Sequence, residues 1–324
     1  MIDLLQSILS TLVMAEFVLG NFANVFIALV NVIEWVKGQK VSCADGILTA
    51  LAVSRIALLW VMLLNWYATV FNPAFYSSGV RAIVYIAWIV SDHFCLWFAV
   101  SLSILYLLKI ANFSSLFFLH LKWKARRVVL MVLLGSLVFL VFHLAVASLD
   151  EKMQMDASEG NLTWKTKLKD IVHLSDMTAF TLANFIPFTM SLMALLLLLF
   201  SLWKHLRKMQ LRGKGSQDVS TKVHVRAMHT VISFVFLFLI YFLTLVFLVW
   251  SFNSLHNEPA FQCAQVLAIL YPSNHSFILI WGNKKLNQNC LSVLCQVRCW
   301  LKERKPPTPQ ISNRGIICVL AETK

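Results

Sequence analysis

The chain has 324 residues, 59% of them hydrophobic and only 13% charged, a composition too apolar for the surface of a soluble protein. Its formal charge of +13 invites nucleic acid as a partner, yet the cations gather in alternate connections between apolar stretches, which is the pattern of membrane orientation and argues against that reading. Helices and short connections use up the length, so no separate soluble domain fits.

Seven apolar stretches are predicted, at roughly Leu4 to Val32, Gly46 to Tyr67, Ile83 to Leu108, Val128 to Ser148, Met177 to Trp203, Thr230 to Phe252 and Phe261 to Trp281. Each approaches or exceeds the about 20 residues of a spanning helix. One such stretch alone could be a buried core helix; seven in series describe an all-α membrane protein, a seven-transmembrane-helix bundle over residues 1–282. An amphipathic cytoplasmic helix over 283–304 and a disordered cytoplasmic tail over 305–324 complete the expected organisation.

Of the 28 Lys and Arg residues, 22 fall in one set of alternate connections and 5 (Arg81, Lys152, Lys165, Lys167, Lys169) in the other, with Arg55 inside a span. This asymmetry puts the N-terminus outside and the C-terminus inside. Asp3 stands where a signal peptide carries basic residues, and the apolar region that follows exceeds the usual 7 to 15 or so, so the first stretch is expected to be retained. None of the seven cysteines lies in the long outer loop predicted from Leu149 to Asp176, so no disulfide ties that loop to the third helix, and no spacing suits a zinc site or calls for a cofactor.

In the first helix Asn21 and Asn24 are three residues apart and share a face. The second carries Arg55 within the apolar run, where a guanidinium costs about 2.5 to 3.5 kcal/mol at the bilayer centre on insertion scales. Arg55 therefore needs partners, expected to be Asn24 and backbone carbonyls, and a structural lock between helices is favoured over a ligand-binding Arg. On the third helix Tyr85, Trp88 and Asp92 form one stripe in the outer half. Trp88 and Trp97 could simply belt the interface. An intramembrane carboxylate such as Asp92 is by default a functional candidate: ionised, it would attract a protonated amine; neutral, it would hydrogen-bond His93 or the seventh helix and serve the fold.

Basic runs at Lys122 to Arg127 and Lys204 to Lys208 satisfy the orientation rule and attract anionic headgroups. Gly213 to Gln217 reads as a hinge, and Pro272 in the seventh helix as a bend. Beyond it, Leu286, Cys290, Leu294, Val297 and Leu301 recur at helical spacing beside Lys285, Arg298 and Lys302, which describes a helix lying on the inner leaflet. Cys290, Cys295 and Cys299 are palmitoylation candidates there. No HExxH, GxSxG or Walker loop is present, so the chain is not read as an enzyme. A transporter would favour internal repeats with breaks in corresponding halves, and Pro187 and Pro272 are not symmetric partners.

The chain resembles the type 2 taste receptors, the bitter-receptor family of seven-helix G-protein-coupled receptors. The resemblance rests on Gly20 to Asn24, Leu51 to Arg55, His93 with Trp97 and Ser101, Tyr106 to Phe113, Pro187-Phe188 with Ser191-Leu192, Lys204-His205 with Lys208 to Gln210, Ser220 to Lys222 with His224, and His275 to Lys285. Vomeronasal type 1 receptors are the nearest rival, but they usually carry the outer-loop disulfide that is impossible here. The resemblance implies a plasma-membrane receptor for bitter small molecules, bound in the outer half of the bundle, that activates a gustducin-type heterotrimeric G protein. It also implies Trp88, Asp92, Tyr241 and Gln265 as pocket positions, with Asp92 where Asn is common and Gln265 where some relatives have Glu, and Tyr106 and Lys109 as coupling residues.

Asn161-Leu162-Thr163 is a glycosylation sequon in the expected outer loop. Glycosidase should shift the wild-type band and leave Asn161→Gln unmoved. On intact cells an impermeant thiol reagent should label Leu162→Cys only; labelling of Lys214→Cys would overturn the orientation.

Overall fold

The computed structural model describes residues 2–40, 42–71, 78–111, 113, 115–158, 163–211, 219–255 and 259–303, all of the regular structure being helical. In chain order the helices are α1 (Ile2–Val36), α2 (Cys43–Val70), α3 (Ser78–Ile110), α4 (Leu116–Trp123), α5 (Ala125–Ser158), α6 (Thr163–Leu211), α7 (Val219–Leu255), α8 (Pro259–Gly282) and α9 (Lys284–Glu303). All but α4 and α9 are long and apolar enough to cross a membrane, and each predicted stretch lies inside one of these seven.

Local chemistry sets the ends. Gly38, at φ 73°, takes the left-handed conformation that closes α1, where Lys37 and Gln39 N–H groups donate to the Ile33 and Glu34 carbonyls. Ser42 then opens α2 with a capping box: its hydroxyl accepts from the Asp45 N–H at 3.2 Å, and the Asp45 carboxylate accepts from the Ser42 N–H at 3.1 Å.

The spans form a closed ring in which α1 packs on α2 and α8, α2 on α3, α6 on α5 and α7, and α7 on α8. The third helix is the axis, touching α2, α5 and α6; the spanning stretch of α3 is 67% buried against 22% for α5. Apolar side chains on the rim point outward, Phe22 and Val138 each being 70% exposed, as suits a surface that meets lipid.

Two features differ from expectation. The outer loop predicted from Leu149 to Asp176 is largely helix: α5 runs on to Ser158 and α6 begins at Thr163. Charges at Asp150, Glu151, Lys165, Lys167, Lys169 and Asp170 end the apolar pattern, but not the helical hydrogen bonding, because a helix emerging from a bilayer keeps its ladder in water. The connection after α3 contains the unanticipated α4, anchored where the Lys122 ammonium donates to the Ala111 carbonyl at 3.0 Å. Asn161, the hinge at 213–217 and the tail at 305–324 lie outside the described residues.

At the end of the bundle where α8 meets α9, Lys285 pairs with Glu34, reaches Asp45 at 3.3 Å and donates to Asn31 Oδ1 at 3.1 Å. Burial works against its ammonium, but the Glu34 hydrogen bond and the Asp45 charge outweigh that and hold its pKa above the usual lysine value. The junction of α8 and α9 is thereby tied to α1 and α2.

Gly20 lets α1 and α8 approach closely. A Cβ there would meet Ser273 Oγ at 2.5 Å and Leu59 Cδ1 at 2.9 Å, while Ser273 Oγ donates to the Glu16 carbonyl at 2.9 Å. Gly20→Ala should lower thermal stability in detergent by about 1 to 3 kcal/mol, the usual cost of overpacking, and Ser273→Gly should recover part of it. An unchanged unfolding midpoint in Gly20→Ala would contradict this packing.

Candidate functional site

Arg55 is fully buried, at 0% exposure. Its Nη1 donates to Ser276 Oγ at 3.1 Å, its Nη2 donates to His275 Nδ1, and its guanidinium lies over the Tyr271 ring at 5.4 Å. Since Arg can only donate, His275 accepts at Nδ1 and carries its proton on Nε2. Ser276 in turn donates to Asn24 Oδ1 at 2.7 Å, and Asn24 Nδ2 donates to the Gly20 carbonyl at 2.8 Å and the Pro272 carbonyl at 3.2 Å. The direct Asn24 contact expected for Arg55 is thus replaced by a relay through Ser276. The physical reason is that the Asn24 amide nitrogen is committed to two backbone carbonyls, leaving its oxygen to meet the serine hydroxyl.

Above this lock, aromatic rings carry the contact outward. Tyr271 stacks on Tyr241 at 4.4 Å, and the Tyr241 hydroxyl donates to Asp92 Oδ1 at 2.5 Å. Both members of that pair are buried, and Phe234, Phe238 and Phe188 continue the packing, with Phe234 at 4.0 Å from the His275 ring and Phe188 at 5.4 Å from Phe238. A continuous chain of contacts therefore runs from Asp92 on α3 through α7 and α8 to Arg55 on α2.

Farther out a cavity of about 180 Å³ opens among α2, α3, α5, α6, α7 and α8. Trp88, Met62, Met177, Leu248, Phe261 and Ile269 supply its apolar wall, and Gln265 and Asn65 add amides. Trp88 is held by stacking on Phe180 at 5.1 Å. Part of the wall is ionic: Arg81 lies 4.0 Å from Glu151 Oε1, His173 Nδ1 lies 3.1 Å from Asp150 Oδ2, and the Tyr85 hydroxyl donates to Asp176 Oδ2 at 2.8 Å. A partly open, mostly apolar cavity with a few convergent polar groups suits a small organic molecule.

Of the pocket positions implied by resemblance, Trp88 and Gln265 line this cavity, whereas Asp92 and Tyr241 pair with each other beneath it and do not line it. Tyr106 and Lys109 sit at the opposite end of α3, the first half-buried and the second exposed. Asp150, Glu151, His173 and Asp176 also line the cavity, in the segment that the sequence predicts as outer loop. For Asp150 and Asp176 a signal is present in the sequence: Val129, Ser136, Leu140, His143, Ala147 and Asp150 keep one face of α5, and Asp176, Phe180, Asn184, Phe188 and Ser191 keep one face of α6.

Tyr241→Phe removes the donor from a buried carboxyl group, so it should lower thermal stability by about 1 to 3 kcal/mol. In an Asp92→Leu background the same substitution should cost much less. Equal losses in both backgrounds would show that the pair does not interact.

A family model, Taste receptor protein (TAS2R), matches residues 1–298. Taste receptor type 2 member 31 of Pongo pygmaeus is 60% identical over 309 residues, covering 95% of this chain and 100% of the relative. Taste receptor type 2 member 46 of Homo sapiens is 58% identical over 306 residues, covering 94% and 99%, and Homo sapiens member 43 is 57% identical over 309 residues, covering 95% and 100%. The family resemblance carried by the motifs thus extends over nearly the whole chain, which belongs to the taste receptor (TAS2R) family of seven-helix receptors.

Proposed function

We propose that this chain is a bitter taste receptor of the plasma membrane, with its N-terminus outside and C-terminus inside, that binds bitter small molecules in the outer cavity and activates a gustducin-type heterotrimeric G protein. The observation that supports this most is the cavity's position directly above a contact chain reaching the inner half of the bundle. Trp88 and Gln265 on its wall touch the ligand; Asp92 and Tyr241 respond from the layer below.

The mechanism follows from packing. Trp88 and Asp92 are one turn apart on α3, so a ligand that presses on Trp88 biases the helix that holds the Asp92–Tyr241 hydrogen bond. Tyr241 moves with Tyr271, and Tyr271 with Arg55 and His275. A ligand shifts the equilibrium only by its differential affinity for the two arrangements, and a ladder of discrete ring contacts offers two such arrangements more readily than a fluid interface would. The inner ends of α3 and α7 then form the surface that meets the G protein, with Tyr106 and Lys109 of α3 central to it.

The charge asymmetry supports the orientation. It puts α9 on the cytoplasmic side, where exposed Leu291, Leu294, Val297 and Trp300 meet the inner leaflet, with Cys295 and Cys299 exposed and Cys290 half-buried as acylation sites.

A panel of bitter compounds applied to cells carrying the receptor and a gustducin-type G protein should evoke calcium release. Trp88→Ala should raise the half-maximal concentration about tenfold or more, the scale of losing a large buried contact. Lys109→Ala should reduce the maximal response at unchanged surface expression. A silent panel would contradict the receptor reading, and an undiminished Lys109→Ala maximum would remove that residue from the coupling surface.

A further inference from the structure

Asp176 stands apart among the cavity's polar residues. Its side chain is almost wholly enclosed, the residue being 4% exposed, and it lies on the cavity wall one turn before Phe180, the ring on which Trp88 stacks. Oδ2 accepts the Tyr85 hydroxyl at 2.8 Å, while Oδ1 has no hydrogen-bond partner among the described residues. The basic groups beside it have closer carboxylate partners, Arg81 in Glu151 and His173 in Asp150, and His173 also acts electrostatically on Asp176. Three carboxylates therefore face one guanidinium and one imidazole across this end of the cavity. A buried carboxylate with an unused acceptor is costly until a donor reaches it, and a charged donor offsets that cost best.

We infer that the cavity selects protonated amines, with the ligand ammonium donating to Asp176 Oδ1 and its apolar body lying against Trp88, Met177, Leu248 and Phe261. This rests on the receptor reading above and names the ligand class of that same site. Ammonium recognition falls to Asp176 and not to Asp92, because Asp92 Oδ1 already holds the Tyr241 hydroxyl and Asp92 does not line the cavity. Gln265, on α8, offers a neutral donor and acceptor to whatever polar group the body carries. Acidic wall and aromatic wall together suit a compact aryl-alkyl amine, whose cation also gains from the Trp88 ring.

The test uses arylalkyl amines, each paired with the alcohol in which a hydroxyl replaces the ammonium, on cells expressing the full-length receptor. Amines should be the stronger agonists. Asp176→Asn keeps the acceptor for Tyr85 but removes the charge, and it should weaken amines about tenfold or more, the scale of a lost hydrogen bond to a charged group, while shifting alcohols and other neutral agonists much less. Asp176→Glu should retain part of the amine response. Equal shifts for both classes, or no shift, would overturn the inference. Should Asp176→Asn fail to reach the cell surface, the wild type decides: each activating amine must exceed its alcohol about tenfold, and equal potency overturns the assignment. Activation by neutral compounds alone sinks the amine preference and leaves the receptor reading standing; silence toward every compound sinks both.

Discussion

A guanidinium within a bilayer-spanning bundle costs about 2.5 to 3.5 kcal/mol at mid-membrane on insertion scales, and that cost falls only if other helices bring acceptors to it. Arg55 obtains His275, Ser276 and the Tyr271 face, all from α8, and through Ser276 it reaches Asn24 on α1. These partners must arrive together. The requirement brings α1, α2 and α8 into one arrangement, and Gly20 makes it sterically possible by clearing the space that Ser273 and Leu59 occupy. Apolar faces alone would not choose among helix rotations in lipid, where packing against a neighbour and packing against acyl chains differ little.

The same constraint ties the cavity at one end of the bundle to the lock in its middle. Tyr271 serves both structures: one neighbour is the Arg55 guanidinium, the other is Tyr241, whose hydroxyl holds Asp92 below the cavity floor. A rearrangement at Asp92 therefore alters the packing of a ring that partly solvates a buried charge. The inner end has its own tie, where Lys285 joins Glu34 and Asp45, and the α7–α8 contact is closed by Arg226, which donates to the Trp281 carbonyl at 2.8 Å beside a Gly282 that leaves room for Thr230.

Much of this was legible in the sequence. The seven spans follow from hydropathy and length, which depend on the solvent more than on tertiary detail. Arg55 and Asp92 announced themselves as charges in hydrocarbon, and Trp88 shared the outer stripe of α3. Two things were hidden. The partner of Arg55 lies more than two hundred residues away, beyond the reach of any local pattern, and Asn24 spends its amide nitrogen on backbone carbonyls. The outer ends of α5 and α6 carry so many charges that their apolar pattern stops, although Asp150 and Asp176 each continue the buried face of their helix. Tyr241 and Gln265 were reached through resemblance, since nothing in their neighbourhood singles out one aromatic or amide among many.

The most direct test of the lock is a double-mutant cycle on the purified receptor in detergent, measuring thermal unfolding for Arg55→Leu, Ser276→Ala and both together. Each single change strands a buried polar partner, so the pair should show a coupling of about 0.5 to 3 kcal/mol, with the double variant less destabilised than the two losses combined. Strict additivity would contradict the claim that Arg55 and its α8 partners act as one unit holding the bundle.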